Sequence, residues 1–89
     1  MIQHIIVKGK VQGVSFRYYT EKKAGSIGLM GTVKNKLDGS VEIYASGSQS
    51  QLDQFEKWCW IGSPYSFVDQ VIVQDIPQKE NFTDFRITY

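Results

Sequence analysis

The sequence predicts an α+β sandwich of order β-α-β-β-α-β, an antiparallel sheet with two helices on one face and a short extra C-terminal strand. Three observations predict it. Residues 2–11 alternate and are rich in Ile and Val. Two segments, starting near Phe16 and Ser48, carry apolar residues at helical spacing. Between them Leu37-Asp38-Gly39-Ser40 separates two further alternating runs.

Each element has its own justification. The period-2 run at 2–11 is a first strand. From Phe16 to about Ile27, Phe16, Thr20, Ala24 and Ile27 share one stripe, with Glu21, Lys22 and Lys23 mostly off it. Gly25, Ser26 and Gly28 weaken the end of this helix and stop it. Residues 30–37 make the second strand. Asp38-Gly39 favours positive φ and a tight hairpin, and residues 41–46 return as the third strand. Ser48 followed by Gln51 forms a capping box, with Ser50 and Asp53 as a rival start. Leu52, Phe55 and either Trp58 or Cys59 form the buried stripe of this helix, which Gly62-Ser63-Pro64 ends. A fourth strand covers about 67–75, with Val71 and Val73 on one face. Phe85, Ile87 and Tyr89 alternate in the short last strand. This is the ferredoxin-like order, and because each crossover is a helix, both helices cover the same face. Many unrelated functions share that fold.

Composition narrows the choices. Eighty-nine residues fit one domain, 1–89. With 10 basic and 9 acidic side chains, net charge is +1, too little for a broad field toward duplex nucleic acid. Anion recognition, if present, has to be local. One cysteine, Cys59, allows no internal disulfide, and the N-terminus lacks the apolar run of a signal peptide or membrane span. A soluble, cytoplasmic monomer is the expectation.

Residues 7–17 carry the strongest chemical signal. An apolar strand enters a glycine-containing turn that ends at an arginine opening a helix. Such a turn leaves backbone N–H groups unpaired and convergent, a nest for phosphate oxygens. Arg17 adds a planar cationic fork over the same spot. Other chemistry is scarce. His4 is the one histidine, in a strand, with no Ser, Cys or Asp nearby in sequence. Cys59 sits between two tryptophans and reads as packing. No His/Cys/carboxylate cluster has metal spacing, and no carboxylate pair stands out as an acid–base couple.

Phosphoryl chemistry on an acyl phosphate fits that inventory. The leaving group is a carboxylate with a solution pKa of about 4, so it departs without a general acid. The transfer needs charge stabilisation and an in-line water. Asn35, an amide in a strand where asparagine is disfavoured, is the candidate holder of that water. By position alone, a strand-end or turn role for Asn35 outweighs this one.

The residues reached so far resemble the acylphosphatase family. Val7, Gly9, Val11, Gln12, Gly13, Val14, Phe16 and Arg17 stand at the spacing of its first signature. Gly31-Thr32-Val33-Lys34-Asn35, then Asp38-Gly39, Val41 and Gly47, resemble its second, departing at Thr32, where the family commonly has an aromatic residue. Ser15 falls at a variable position, often Gly, where its hydroxyl could cap the helix or touch phosphate. The resemblance runs from about residue 5 to the C-terminus. It implies hydrolysis of acyl phosphates to a carboxylate and inorganic phosphate, without metal or cofactor. It also implies a phosphate cradle at Gln12, Gly13, Val14, Ser15, Phe16 and Arg17, with Arg17 catalytic and Asn35 orienting the water. Small acyl phosphates are the expected substrates, with inorganic phosphate as product and competitive inhibitor. No nucleic acid or membrane partner is implied. The alternative is a non-catalytic phosphate- or metabolite-sensing module on the same fold. A single-strand RNA binder is a third reading, which lacks the Gly/aromatic strand pattern such domains use.

Overall fold

The computed structural model of the chain describes residues 1–77 and 81–89. Seven elements follow in order: β1 (Ile2–Lys10), α1 (Phe16–Ile27), β2 (Met30–Asn35), β3 (Val41–Ser46), α2 (Gln49–Ile61), β4 (Phe67–Ile76) and β5 (Phe85–Thr88). The sheet order is β4-β1-β3-β2-β5. The first four strands pair antiparallel, as expected. β5 departs from the expectation: it runs parallel to β2, with Gly31 opposite Phe85 and Val33 opposite Ile87. The sheet is therefore mixed. A four-residue strand carries no directional signal in its own sequence.

Alternation explains which face is buried. Ile5, Val7, Val33, Val41, Ile43 and Ala45 point to the helices and are wholly buried. The intervening His4, Thr32, Lys34, Glu42 and Tyr44 lie on the uncovered face. Phe16, Thr20 and Ala24 of α1 and Leu52, Phe55 and Cys59 of α2 complete the core. Cys59 takes the stripe position, with Trp58 packed at its margin against Phe16 and Phe55. Burial pushes the Cys59 thiol pKa up, which favours the neutral thiol.

The helix ends follow local chemistry. α1 runs through Gly25 and Ser26 and stops at Gly28 in the left-handed region, φ 94°. There Gly28 N–H donates to Gly25 O (3.2 Å) and Leu29 N–H to Ala24 O (2.9 Å), and Leu29 is buried. These two bonds are those of a Schellman motif. At the start of α2 the Ser48–Gln51 capping box is complete in both directions, and Ser50 is not the cap. The hairpin at 36–40 is closed by Lys36 N–H to Ser40 O (2.9 Å). Asp38 Oδ1 accepts from Ser40 N (2.9 Å) and Ser40 Oγ (2.6 Å), and these bonds hold its carboxyl below the usual pKa.

Candidate active site

The turn between β1 and α1 bends sharply. Gly13 (φ 73°) and Ser15 (φ 60°, ψ 24°) both occupy the left-handed region, and Ser15 is the one non-glycine described residue with positive φ. Ser15 stands at the N-cap of α1, yet its hydroxyl makes no capping bond, and no acidic residue sits in the first turn. The positive end of the helix thus keeps its N–H groups without a side-chain acceptor. The first helical bond, Tyr19 N–H to Ser15 O, is 3.2 Å long.

A cleft of about 320 Å³ opens at this point. Gly13, Ser15, Phe16 and Arg17 line it from the turn, and Asn35 lines it from the end of β2. Val11, Tyr18, Ile87 and Tyr89 supply the remaining walls. Arg17 and Asn35, 18 positions apart in sequence, therefore share one cavity. Gln12 and Val14 do not line it. The Gln12 amide instead donates from Nε2 to Lys36 O (2.7 Å) and to Ser40 O (2.9 Å), tying the turn to the hairpin that follows Asn35. The Val14 side chain is buried, and its carbonyl accepts from Ser63 Oγ at 2.7 Å.

The polar groups of the cleft are under-partnered. Arg17 has no carboxylate within ion-pair distance among the described residues. Its guanidinium carbon lies 4.8 Å from the centre of the Tyr89 ring, a cation–π contact that leaves the N–H edge available. Asn35 Oδ1 is buried and has no hydrogen-bond partner among the described protein groups. Buried amide oxygens without partners are rare in folded proteins.

Sequence reasoning missed Tyr89 as a contact of Arg17. Its alternation with Phe85 and Ile87 put it in the last strand, which ends at Thr88. Ser63 was legible only as a helix terminator, and the anchoring of Gln12 on carbonyls 24 and 28 positions away has no local signal. Among the described residues, no three His, Cys, Asp or Glu side chains converge as a metal site. No described helix is long and apolar enough to cross a membrane.

Comparison with known proteins shows the family. The acylphosphatase family model matches residues 3–87. An acylphosphatase of Marinobacter nauticus is 48% identical over 86 residues, covering 97% of this chain and 94% of its own. One of Pasteurella multocida is 47% identical over 87 residues, covering 98% and 97%. The crystal structure of acylphosphatase from Bacillus subtilis superimposes with a TM-score of 0.95 at 42% identity, over the whole of both chains. The chain belongs to the acylphosphatase family, enzymes that hydrolyse acyl phosphates to a carboxylate and inorganic phosphate.

Proposed function

We propose that the cleft between the 12–17 turn and the end of β2 is the catalytic centre, with Arg17 and Asn35 as its catalytic residues. The observation that carries this reading is the convergence of Arg17, Asn35 and the uncapped turn on one cavity. The phosphoryl oxygens sit in the turn, against backbone N–H groups of residues 13–17, and the Arg17 fork neutralises the charge they carry. The Asn35 side-chain amide hydrogen-bonds a water molecule and holds it in line with the bond to be broken. The water oxygen forms a new bond to phosphorus as the phosphorus–acyl oxygen bond breaks. The electron pair of that bond leaves with the carboxylate, and a non-bridging phosphoryl oxygen takes the proton of the water.

This chemistry asks for no metal, because the arginine and the N–H groups supply the positive charge and the carboxylate is a good leaving group. Inorganic phosphate fits the same cradle and competes with substrate. We read residues 1–89 as one domain acting as a monomer in the cytoplasm; the single cysteine fits a reducing compartment. Sedimentation at several concentrations tests the monomer.

Hydrolysis of benzoyl phosphate with EDTA present, titrated with inorganic phosphate, tests the mechanism. Turnover insensitive to chelation and competitively inhibited by phosphate is expected. Loss of turnover on chelation would contradict it. Saturable protection against unfolding by phosphate, with no hydrolysis of any acyl phosphate, would point to the sensing module instead.

A further inference from the structure

Forty-nine positions separate Val14 from Ser63, yet the Ser63 hydroxyl donates to the Val14 carbonyl at 2.7 Å in the protein interior. Both residues are buried, Ser63 3% and Val14 8% exposed. Val14, like Gln12, is a cradle position that does not line the cleft, and Ser15, which follows, does. The peptide between them is trans, so its C=O and N–H point in opposite directions. Holding the Val14 oxygen on Ser63 therefore turns the Ser15 N–H to the opposite side, and Ser15 itself lines the cleft.

The corner that carries Ser63 is built for close approach. Gly62 ends α2 at φ 72°, and its N–H donates to Trp58 O at 2.8 Å. A Cβ on Gly62 would stand 2.9 Å from Phe16 Cε2 and would collide with Ser66 Oγ. Ser66 in turn donates from Oγ (2.8 Å) and from N (3.1 Å) to Ser63 O. The α2–β4 corner is thus locked by its own hydrogen bonds and pressed against the first residue of α1. Ser15, meanwhile, is held in a backbone region costly for a residue with a side chain. A fixed donor on the preceding carbonyl is the kind of neighbour that maintains such a conformation.

We propose that Ser63 is a positioning residue for acyl phosphate hydrolysis: through Val14 O it fixes the peptide that presents the Ser15 N–H to the phosphoryl group. The proposal rests on the assignment of the 12–17 turn as the phosphate cradle. Ser63 itself touches no substrate. Its hydroxyl sets the direction of a donor and, by polarising the same peptide, strengthens it.

The test has two arms. In the first, Ser63→Ala and Ser63→Thr are compared with Ile5→Val, a core change remote from the cleft. In Ser63→Ala the inhibition constant of inorganic phosphate should rise, and kcat/KM on benzoyl phosphate should fall by about 10- to 100-fold, the scale of a misplaced contact. Ser63→Thr keeps the hydroxyl and should restore most of both. Ile5→Val should lower thermal stability and leave the inhibition constant unchanged. A folded Ser63→Ala enzyme with unaltered kcat and phosphate inhibition overturns the proposal. The second arm uses the unaltered protein, so it stands even if Ser63→Ala does not fold. Amide NMR during titration with inorganic phosphate should show saturable movement of the Ser15 N–H proton together with Arg17. Movement at Arg17 without movement at Ser15 overturns the role of Ser63 and leaves the cradle in place. Absence of any saturable movement in the turn overturns the cradle, and the role of Ser63 with it.

Discussion

Two clefts in this molecule hold similar kinds of side chain and treat them differently. The larger, of about 500 Å³, lies on the uncovered face of the sheet, where Thr32, Lys34, Glu42 and Tyr44 form part of its lining. There Glu42 Oε2 lies 2.8 Å from His4 Nε2, and the His4 ring packs 4.9 Å from that of Tyr44. The smaller cleft, beside the turn, holds a guanidinium with no carboxylate partner among the described residues and an amide oxygen with no partner at all among them. Its turn is left-handed at Ser15 and lacks a side-chain cap. Size is therefore a poor guide to chemistry here. The larger cleft pairs its carboxylate, although its Lys34 has no ion-pair partner among the described residues either; what sets the smaller cleft apart is the uncapped left-handed turn and the unpartnered Asn35 amide oxygen beside Arg17.

The sharpest way to break this contrast is to neutralise the cation. Arg17→Ala should cost about 3–4 kcal/mol of transition-state stabilisation, or roughly 10²- to 10³-fold in kcat/KM. Thermal stability should change little, because the side chain loses only its contact with Tyr89. Arg17→Lys should not rescue activity, since a point charge cannot reproduce the fork. Near-normal hydrolysis of benzoyl phosphate by a folded Arg17→Ala enzyme would falsify the site assignment.

Asn35 comes next. Asn35→Ala should reduce kcat by about 10²-fold and disturb KM far less, as expected for a group that acts on the attacking water. The inhibition constant for inorganic phosphate, which needs the cradle alone, should stay within about threefold of normal. A large rise in that constant with kcat preserved would place Asn35 on the phosphate itself.

Gln12 tests the boundary of the cradle. Sequence reasoning placed it with the phosphate ligands, whereas its amide holds the carbonyls of Lys36 and Ser40. Both carbonyls keep a second donor, from Gly39 and Lys36 respectively. Gln12→Ala should therefore cost only about 1–2 kcal/mol of stability. Activity should fall by about 3- to 10-fold as the strand end carrying Asn35 loosens. If activity falls as far as in Asn35→Ala while stability is unchanged, Gln12 contacts substrate after all.

These cases show what a sequence can and cannot disclose. Local rules reached most of the fold: the Ile/Val alternation of β1, the Ser48–Gln51 box opening α2, and Asp38-Gly39 closing the hairpin all depend on neighbours within a few residues. Arg17 was legible for the same reason, since glycine, turn and helix start lie together in the chain. The direction of β5, the seat of Gln12 on the hairpin, the Tyr89 ring beside Arg17 and the Ser63 bond to Val14 depend on residues 24 to 72 positions away. Asn35 falls between these groups. Its residue type raised the question, and only its place on the wall of the Arg17 cleft distinguishes it from an ordinary strand end.

The smallest effect expected concerns Ser15, and it measures how far the cleft is strained relative to the relaxed sheet face. At φ 60° a side chain costs about 1 kcal/mol or slightly more. Ser15→Gly relieves that cost but adds freedom to the unfolded chain, a loss of similar size. The two terms oppose each other, so urea denaturation should show a net change below about 1 kcal/mol. The N–H of residue 15 survives, and kcat should stay within about threefold of normal. Ser15→Val separates the terms. A β-branched residue tolerates the left-handed region worst, so Val should lose about 1–2 kcal/mol relative to Gly. If Val and Gly prove equally stable, the turn has slipped out of the left-handed conformation without penalty. The cradle would then be no more strained than the opposite face, and the contrast between the two clefts would rest on unsatisfied polar groups alone.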